Sequence, residues 1–394
     1  PHMRRVRPEI MQTVKTEFDR LRTYMFVPSI SSIASPLVIA PKATFPWCRL
    51  VIDFRKINRC LVFRQNYTPV VLDELQKCKD MRYCLDGDLK NAFHQLLLHK
   101  NTRRNLAVLT PWGLFEPLFL PEGLSCASGL LNDAMNKVFH NHLHNTLVIF
   151  DNFLTMAVTL DEMADETIKI ITTCATRDVI LGMKKTKIGF PEAIFFGYKV
   201  ADGKYSLTDD RKQSVTSIKM PGNLKQMQRF LGASIYFSKN MPRYSFLAAP
   251  LNQMTKKDFD WTVSTWTRDY VEDFNIFREA ILASVAISFP DYNNTFILRT
   301  DASDVAWGGV LLQVLPGGTY ECIGLCSAKW SGPAQLWKTA KQEAAAIYLA
   351  FKKFSPQIVG KMVIVETDHK NILFWDNDET PIIQRWRLYV QSFL

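Results

Sequence analysis

Acidic residues end apolar, strand-like stretches at two places in the first half of this chain. Asp88 closes a run that begins at Tyr83, and Asp151 follows the apolar stretch 147–150. A carboxylate at such a position is costly to bury unless it is paired or binds a cation. If the two strands are neighbours in one sheet, both carboxylates converge on one edge as hard oxygen ligands for Mg²⁺, with substrate phosphates completing the site. Two unrelated turn aspartates fit the same pattern, and spacing alone does not decide between these interpretations.

Three further carboxylates in the second half suit hydrolysis assisted by two metal ions. Asp301 closes a strand predicted over 295–300, Glu343 stands on the first turn of a helix predicted over 342–354, and Asp368 follows another predicted strand. Taken one at a time, each is equally typical of a helix cap or a turn. Two strand ends and one helix start suit a two-metal hydrolytic site, and these positions alone leave both interpretations open.

Two cations stand at the edges of a predicted hairpin in the first half. The strands 34–42 and 48–54 are joined by a turn over 43–46, and they carry Lys42 and Arg49. An arginine fork and a lysine point charge placed there would grip a triphosphate. A solvated hairpin tip explains the same residues equally well.

The composition indicates a multidomain protein. The chain has 394 residues, 47% of them hydrophobic, which favours two or three domains. No run of eighteen apolar residues occurs, so no membrane span is predicted. The first three residues, Pro-His-Met, are interpreted as an expression-vector scar, and no secretory signal follows them. The eight scattered cysteines favour reduced, buried thiols of an intracellular protein over a zinc site.

The net charge is +10, from 48 Lys and Arg against 38 Asp and Glu. This balance suits a protein that holds a polyanion in a groove while it keeps acidic catalytic residues. A basic enzyme without a polyanionic partner has the same balance, so charge alone does not decide.

Hydrophobic periodicity predicts interleaved strands and helices around these residues, an α+β pattern. Helices are predicted over 4–24, 67–77, 129–140, 161–178, twice within 210–241, and over 342–354. Strands are predicted over 34–42, 48–54, 83–88, a hairpin within 105–120, and over 147–150, 193–198, 287–300, 306–314 and 362–365. The helix pair within 210–241 interleaves basic and aromatic residues, which suits a duplex backbone, although an ordinary amphipathic pair has the same pattern.

Read in order, the motifs of the chain resemble those of a reverse transcriptase, most closely those of gypsy-type LTR retrotransposons and their retroviral relatives. The first part carries 35–38 (SPLV), 49–58 (RLVIDFRKIN), 88–95 (DLKNAFHQ), 120–124 (LPEGL), 150–151 (FD) and 196–198 (FGY). The remainder carries 207–209 (LTD), 225–232 (KQMQRFLG), 248–251 (AAPL), 300–304 (TDASD), 341–345 (KQEAA) and 366–370 (ETDHK). Because many motifs occur in the expected order over nearly the whole chain, the resemblance is far more specific than any one of them.

The resemblance implies an α+β right-hand polymerase with fingers, palm and thumb, followed by an α/β RNase H-like domain. The expected domains are fingers and palm at 4–200, thumb and connection at 201–260, a linker at 261–285 and RNase H at 286–394. The family uses a fourth acidic or histidine ligand farther on, so the RNase H domain is expected to be C-terminally incomplete. His369, beside Asp368, is interpreted as structural.

Several functional residues of the family have a counterpart here. In the polymerase part, Asp88 and Asp151 resemble the metal-binding aspartates, and Phe93 resembles the aromatic gate that excludes a 2′-hydroxyl. Lys42 and Arg49 are similar to the finger residues that hold the triphosphate. Gly123 and Lys187 complete the nucleotide site, as a close-approach glycine and a candidate general acid. In the RNase H part, Asp301, Glu343 and Asp368 resemble the metal ligands.

Two positions depart from the family pattern. The catalytic turn of the family ends in two aspartates, whereas Asn152 follows Asp151 here and removes one carboxylate. Its loss lowers the expected polymerase rate, because each ~1.4 kcal/mol of transition-state stabilisation is worth tenfold. Glu122 stands where relatives carry an aromatic residue or glutamine beside the nucleotide. A carboxylate near a triphosphate is unfavourable unless a cation intervenes.

The resemblance implies an RNA- and DNA-templated DNA polymerase with an attached RNase H, dependent on Mg²⁺ with Mn²⁺ as the alternative. The expected partners are an RNA template, a DNA primer, an RNA–DNA hybrid and dNTPs, with no membrane, and a homodimer is compatible with the family. The expected location is cytoplasmic, in virus-like particles. A polymerase palm inactivated through Asn152 and serving as a nucleic-acid-binding scaffold is the alternative, and a pararetroviral polymerase is the third interpretation.

Overall fold

The computed structural model describes residues 6–42, 45, 47–62, 69–262, 268–368 and 380–393. The chain divides into two compact units, one formed by Pro1–Lys77 and Arg82–Pro191, the other by Cys78–Met81 and Glu192–Leu394. Within the described ranges, no helix has both the length and the apolar character needed to cross a bilayer.

The first unit contains six α-helices and nine strands within its described residues, besides short 3₁₀ helices. The helices are α1 (Pro8–Arg22), α2 (Arg55–Asn58), α3 (Val71–Leu75), α4 (Lys100–Arg103), α5 (Ala127–Val138) and α6 (Leu160–Thr176). The strands are β1 (Phe26–Pro28), β2 (Ser35–Pro41), β3 (Cys48–Ile52), β4 (Tyr83–Asp88), β5 (Val108–Thr110), β6 (Gly113–Pro117), β7 (Thr146–Ile149), β8 (Asn152–Ala157) and β9 (Lys187–Phe190). They form a five-stranded sheet in the order β1-β6-β5-β2-β3 and a four-stranded sheet in the order β7-β8-β4-β9.

Apolar side chains that recur at regular spacing along the chain pack against both sheets of this unit. Phe18 of α1 stacks on Phe26 and Trp112 beside the first sheet, with ring centroids 5.8 and 5.0 Å apart. Behind the second sheet, Phe153 of β8 stacks on Phe139 at 5.5 Å, in a core that α5 and α6 complete. One apolar face per element is what the 3.6- and 2-residue periods predict.

The second unit contains six α-helices and eight strands within its described residues, besides short 3₁₀ helices. The helices are α7 (Asp209–Thr216), α8 (Leu224–Ser234), α9 (Tyr244–Gln253), α10 (Arg268–Leu282), α11 (Thr339–Ile358) and α12 (Pro381–Gln391). The strands are β10 (Ala193–Phe195), β11 (Tyr198–Ala201), β12 (Lys204–Leu207), β13 (Ile287–Ser288), β14 (Phe296–Ala302), β15 (Ala306–Val314), β16 (Tyr320–Lys329) and β17 (Val363–Glu366). The sheets run β10-β11-β12-β13 and β16-β15-β14-β17, and α11 and α12 share a core with the latter.

Several sequence-based expectations are corrected by the structure. The expected linker 261–285 contains the helix α10, whose buried Phe274 and Phe277 pack on Phe230 of α8. The strand expected over 193–198 is interrupted, because Phe196 and Gly197 have positive φ angles and turn the chain into β11.

Other differences are shifts of boundaries and omissions. Strand β9 was not expected, since its four residues are mostly exposed and show no alternation of buried and exposed positions. Helix α11 begins at Thr339, so Glu343 lies on its second turn and not on its first. His369 and most of the turn 43–46 lie outside the described residues.

Candidate catalytic sites

The turn between β7 and β8 presents Asp151. Phe150 has a φ of 57°, which a bulky side chain adopts only when its surroundings hold it there. Its backbone N–H donates to Oδ1 of Asn132, a fully buried residue of α5, at 3.2 Å. The packed helix therefore fixes the turn, and Asp151 lies at its tip.

Asp88 reaches the same sheet edge from a different strand. It is the last residue of β4 and pairs with Asn152 of β8, while Leu89 N–H donates to the carbonyl oxygen of Asp151 at 2.8 Å. The strand of residues 147–150 is therefore not the direct neighbour of β4, because β8 lies between them. Asp88 and Asp151 converge nonetheless, since the hairpin returns the chain beside β4, and both line one cavity.

A lysine that was not singled out from the sequence contacts Asp88. Lys185 Nζ donates to Oδ2 of Asp88 at 2.9 Å, and this hydrogen bond raises the pKa of Lys185. Lys187, the expected residue, instead lies on β9 with its Nζ 6.0 Å from the ring centroid of Phe190. The Lys-rich turn was a visible signal, but its backbone path decides which ammonium group faces the carboxylate.

The Asp88 side chain has one buried oxygen that nothing in the described chain satisfies. Its Oδ1 is buried and accepts no hydrogen bond. Gly182 closes over it, and a Cβ there would lie 2.3 Å from Oδ1. An unsatisfied buried carboxylate oxygen is costly, so this oxygen fits a cation ligand.

Asn152 places an amide where a second carboxylate was expected. Its Nδ2 donates to Oδ1 of Asp151 at 3.2 Å. An aspartate at this position has no such donor and would bring two like charges together. The turn is thus stabilised here by a hydrogen bond, at the expense of one metal-binding oxygen pair.

The cavity beside these aspartates has a volume of about 650 Å³ and mixed charge. It is lined by the expected residues Lys42, Arg49, Phe93, Asp88 and Asp151, and also by Glu122, His94 and Lys185. Arg49 forms an ion pair with Glu122 at 2.5 Å, so a cation does accompany the unexpected carboxylate.

His94 is a residue of this cavity that was not singled out from the sequence. Burial lowers the pKa of His94, while the negative charge of Glu122 acts in the opposite direction. The Nδ1 atom of His94 lies 3.4 Å from the Tyr24 hydroxyl.

Gly123 lies next to the cavity in a conformation that favours glycine. Its φ is 99°, and a Cβ would lie 3.0 Å from the carbonyl oxygen of Ile52. Asn58 Nδ2 donates to the Gly123 carbonyl at 3.0 Å, and the Ser125 N–H donates to Asn58 Oδ1 at 3.0 Å. These contacts fix the turn on both sides of the glycine.

In the second unit, the structure brings three expected carboxylates together. Ligand oxygens of Asp301, Glu343 and Asp368 all lie within 4.8 Å of one another. Asp301 is on β14 opposite Gly308, Glu343 projects from α11, and Asp368 follows β17, which pairs in parallel with β14. Three elements that are distant in sequence thus meet at one end of the sheet.

Glu343 has the electrostatics of a cation ligand. It is 3% exposed, and burial, with the nearby carboxylates of Asp368 and Asp301 adding to it, raises its pKa to about 7. Its Oε1 accepts from Ala302 N–H at 3.2 Å, while Oε2 is buried without a partner. A clustered, partly unsatisfied set of carboxylates fits hard divalent cations.

Two family models match the chain. The model described as reverse transcriptase (RNA-dependent DNA polymerase) matches residues 31–235, more than half of the chain. The model described as an RNase H-like domain found in reverse transcriptase matches residues 291–393. The predicted resemblance is therefore confirmed in both parts of the chain.

Relatives and solved structures agree with these matches. The Tf2-7 and Tf2-3 transposon polyproteins of Schizosaccharomyces pombe are each 26% identical over 98% of the chain. The chain spans only 29% of the length of these polyproteins. A foamy viral protease-reverse transcriptase in complex with double-stranded DNA is 17% identical and has a TM-score of 0.87. The match covers 99% of this chain and 69% of the foamy viral chain. A foamy viral protease-reverse transcriptase in complex with an RNA/DNA hybrid is 18% identical and has a TM-score of 0.79. That match covers 99% of this chain and 53% of the foamy viral chain. The expected fold class is thereby confirmed.

Proposed function

The chain belongs to the reverse transcriptase (RNA-dependent DNA polymerase) family, and on that premise we propose that it copies RNA and DNA templates into DNA and degrades the RNA of RNA–DNA hybrids. The observation that carries the polymerase proposal is the convergence of Asp88 and Asp151 on one cavity that also contains Lys42 and Arg49. Carboxylates beside cations suit a reaction between a hydroxyl and a charged triphosphate.

The residues of this cavity have distinct proposed roles. Both families are generally dependent on divalent metal ions, and Asp88 and Asp151 would hold the polymerase metals, Mg²⁺ or Mn²⁺. When bound, the metals supply charge stabilisation for an in-line phosphoryl transfer from a dNTP to the primer 3′-hydroxyl. Lys42 and Arg49 bind the triphosphate, and Phe93 leaves no space for a 2′-hydroxyl, which selects deoxynucleotides.

Lys185 takes the role of proton donor that the sequence had suggested for Lys187. Its ammonium group lies 2.9 Å from Asp88, beside the reacting groups, and a lysine amine is protonated at neutral pH. A protonated amine there is suited to give a proton to the leaving pyrophosphate. Gly123 and its fixed turn shape the wall next to the nucleotide.

The second site is assigned to RNA hydrolysis. Asp301, Glu343 and Asp368 would hold the metal ions of this site, and the orphaned Oε2 of Glu343 supports that role. The proposed domains follow, with fingers and palm in 4–200, thumb in 201–260 and RNase H in 286–394. The helix α10 places ordered structure between the last two.

The proposed partners are an RNA template, a DNA primer, their hybrid and dNTPs. The structural neighbours described above bind double-stranded DNA and an RNA/DNA hybrid. Relatives that are transposon polyproteins support a location in virus-like particles, and a homodimer remains one of the proposed assemblies.

A second candidate function is a nucleic-acid-binding scaffold without DNA synthesis. Its support is Asn152, whose amide removes one carboxylate from the turn that holds Asp151. The intact Asp88, Phe93 and Arg49 favour the polymerase, because a scaffold does not require a nucleotide cavity.

Primer extension on poly(rA)–oligo(dT) with Mg²⁺ separates these functions. The unmodified chain is compared with Asn152→Asp, which restores a carboxylate to the turn. We expect extension by both proteins and a roughly tenfold faster rate for Asn152→Asp, equivalent to ~1.4 kcal/mol of transition-state stabilisation. If both proteins bind the hybrid and neither extends the primer, the polymerase proposal fails and the scaffold is favoured.

A further inference from the structure

The guanidinium group of Arg49 already has an anionic partner inside the nucleotide cavity. Its Nη2 lies 2.5 Å from Oε2 of Glu122, whose side chain is 31% exposed, against 61% for Arg49. Lys42 lines the same cavity and forms no ion pair within the described ranges. Glu122 therefore neutralises the one of these two cations that can grip a phosphate through a bidentate fork.

The backbone beside Glu122 is held by hydrogen bonds, whereas the side chain of Arg49 is largely exposed. The turn that carries Glu122 is held by Asn58, which donates to the Gly123 carbonyl and accepts from the Ser125 N–H, both at 3.0 Å. Gly123 also packs against the backbone of Ile52. Arg49 reaches the cavity from β3 on a long, exposed side chain. Of the two side chains, the more exposed Arg49 is therefore the better placed to move when the ion pair changes partner.

We propose that Glu122 is a specificity-determining counter-ion, which holds Arg49 until a nucleotide binds and which an incoming triphosphate must displace. This inference rests on the proposed polymerase function and adds a control on nucleotide binding at the same site. Carboxylate and phosphate bind a guanidinium through the same N–H donors, so the two anions compete for Arg49. Displacement of the carboxylate requires several phosphate oxygens to engage the guanidinium and Lys42 together. Glu122 therefore lowers the affinity for every nucleotide and favours triphosphates over monophosphates.

Binding measurements on charge-neutral variants test this role. Calorimetry gives the Kd of dTTP for the chain bound to poly(rA)–oligo(dT), and the Kd of inorganic tripolyphosphate for the chain alone. We expect Glu122→Gln to tighten both by about two- to fivefold, the range of a partly exposed ion pair. Glu122→Asp, which keeps the charge, should stay near the unmodified value.

A double substitution tests whether Glu122 acts through Arg49. In Arg49→Gln, the further change Glu122→Gln should give no gain in affinity, because no guanidinium is left to release. The matched control is Glu74→Gln, which breaks the ion pair of Glu74 with Lys77 outside the cavity and should leave both Kd values unchanged. In primer extension, Glu122→Gln should lower the KM for dTTP and leave kcat within about twofold, the sign of uniform binding.

The outcomes separate this inference from the proposed function. Unchanged or weaker binding in Glu122→Gln overturns the counter-ion role, even if the chain extends primers. A gain that persists in Arg49→Gln also overturns it, because Glu122 would then act on the phosphates directly. Tighter tripolyphosphate binding in a chain that never extends a primer upholds the counter-ion and overturns the polymerase. Absence of dTTP and tripolyphosphate binding in every variant overturns both.

Discussion

At the scale of single residues, the polymerase site depends on how little space surrounds Asp88. Lys185 contacts one carboxylate oxygen, and Gly182 covers the other, which has no hydrogen-bond partner among the described residues. The Gly182 N–H also donates to the Asp88 carbonyl at 2.7 Å. The absence of a side chain at residue 182 is thus a condition for the position of the carboxylate.

Substitution of Gly182 should therefore reduce DNA synthesis. In Gly182→Ala, the new Cβ would lie 2.3 Å from Asp88 Oδ1, so the carboxylate or the turn must shift. We expect primer extension to slow by roughly 10- to 100-fold, since a displacement near 1 Å has that effect on positioned groups. The control is Gly222→Ala, where a Cβ makes only an ordinary contact at 3.6 Å. Equal extension rates for the two variants would contradict the positioning role of Gly182.

At the scale of elements, the site depends on contacts that hold short segments against helices. The hairpin β7–β8 is fixed by Asn132 of α5, and the short 3₁₀ helix His140–His142 is fixed to α6. In the latter contact, His142 Nε2 lies 2.9 Å from Thr173 Oγ1. His142 is 7% exposed, and burial lowers its pKa.

Because His142 is buried, we expect the free energy of unfolding to fall in acid. The folded-state pKa lies below the unfolded value of 6.5, so the unfolded chain binds more protons as the pH falls through 6.5. The stabilising contribution is present above that pH and is lost below it. In urea unfolding at pH 7, 6 and 5, His142→Gln should lose less stability on acidification than the unmodified chain. The exposed neighbour His140 supplies the control His140→Gln, and an identical pH slope in all three proteins would refute the prediction.

The packing of helix α10 leads to a second prediction at the scale of elements, on the stability of the second unit. Phe277 is fully buried, with its ring centroid 5.8 Å from Phe230 of α8 and 5.6 Å from Tyr244 of α9. Phe277→Ala should lower the free energy of unfolding of the second unit by about 3–5 kcal/mol, because a large cavity remains. Chemical unfolding followed by tryptophan fluorescence measures this loss. Ile276→Ala, a change at a 43% exposed site, should cost under about 1 kcal/mol, and a similar loss in both variants would argue against a packed helix here.

At the scale of the whole molecule, each compact unit carries one of the two candidate sites. Asp88 and Asp151 belong to the first unit, and Asp301, Glu343 and Asp368 belong to the second. Each set of carboxylates is assembled from strands and helices of its own unit. The two activities should therefore be separable by single substitutions.

Asp88→Asn should abolish primer extension and leave cleavage of an RNA–DNA hybrid intact. Asp301→Asn should have the opposite effect, and each lost activity should fall by at least about 100-fold, as expected when a metal-binding charge is removed. Gel assays of both activities on one labelled hybrid measure them together with Mg²⁺ present. If either substitution removes both activities while hybrid binding persists, the assignment of one reaction to each unit is wrong.

The sequence by itself determined the order of elements, the family and the acidic residues at strand ends. These depend on local rules, namely the period of apolar residues and short motifs, so α1, α6, β14 and β15 appear close to where they were expected. The segment 261–285, expected to be a linker, contains the helix α10, whose amphipathic pattern was not recognised in the sequence. The strand 193–198 was too long because the positive φ angle of Phe196 carries no sequence signal.

Only the tertiary structure decided which side chains meet. Lys185 and not Lys187 reaches Asp88, 97 residues away in sequence, because the path of the turn before β9 aims its side chain. Arg49 is paired with Glu122, and Glu343 is buried beside Asp301, through contacts between distant segments. Spacing along the chain contains no information on such pairs. Their geometry, and with it the charge of each site, is set when packed elements bring the residues together.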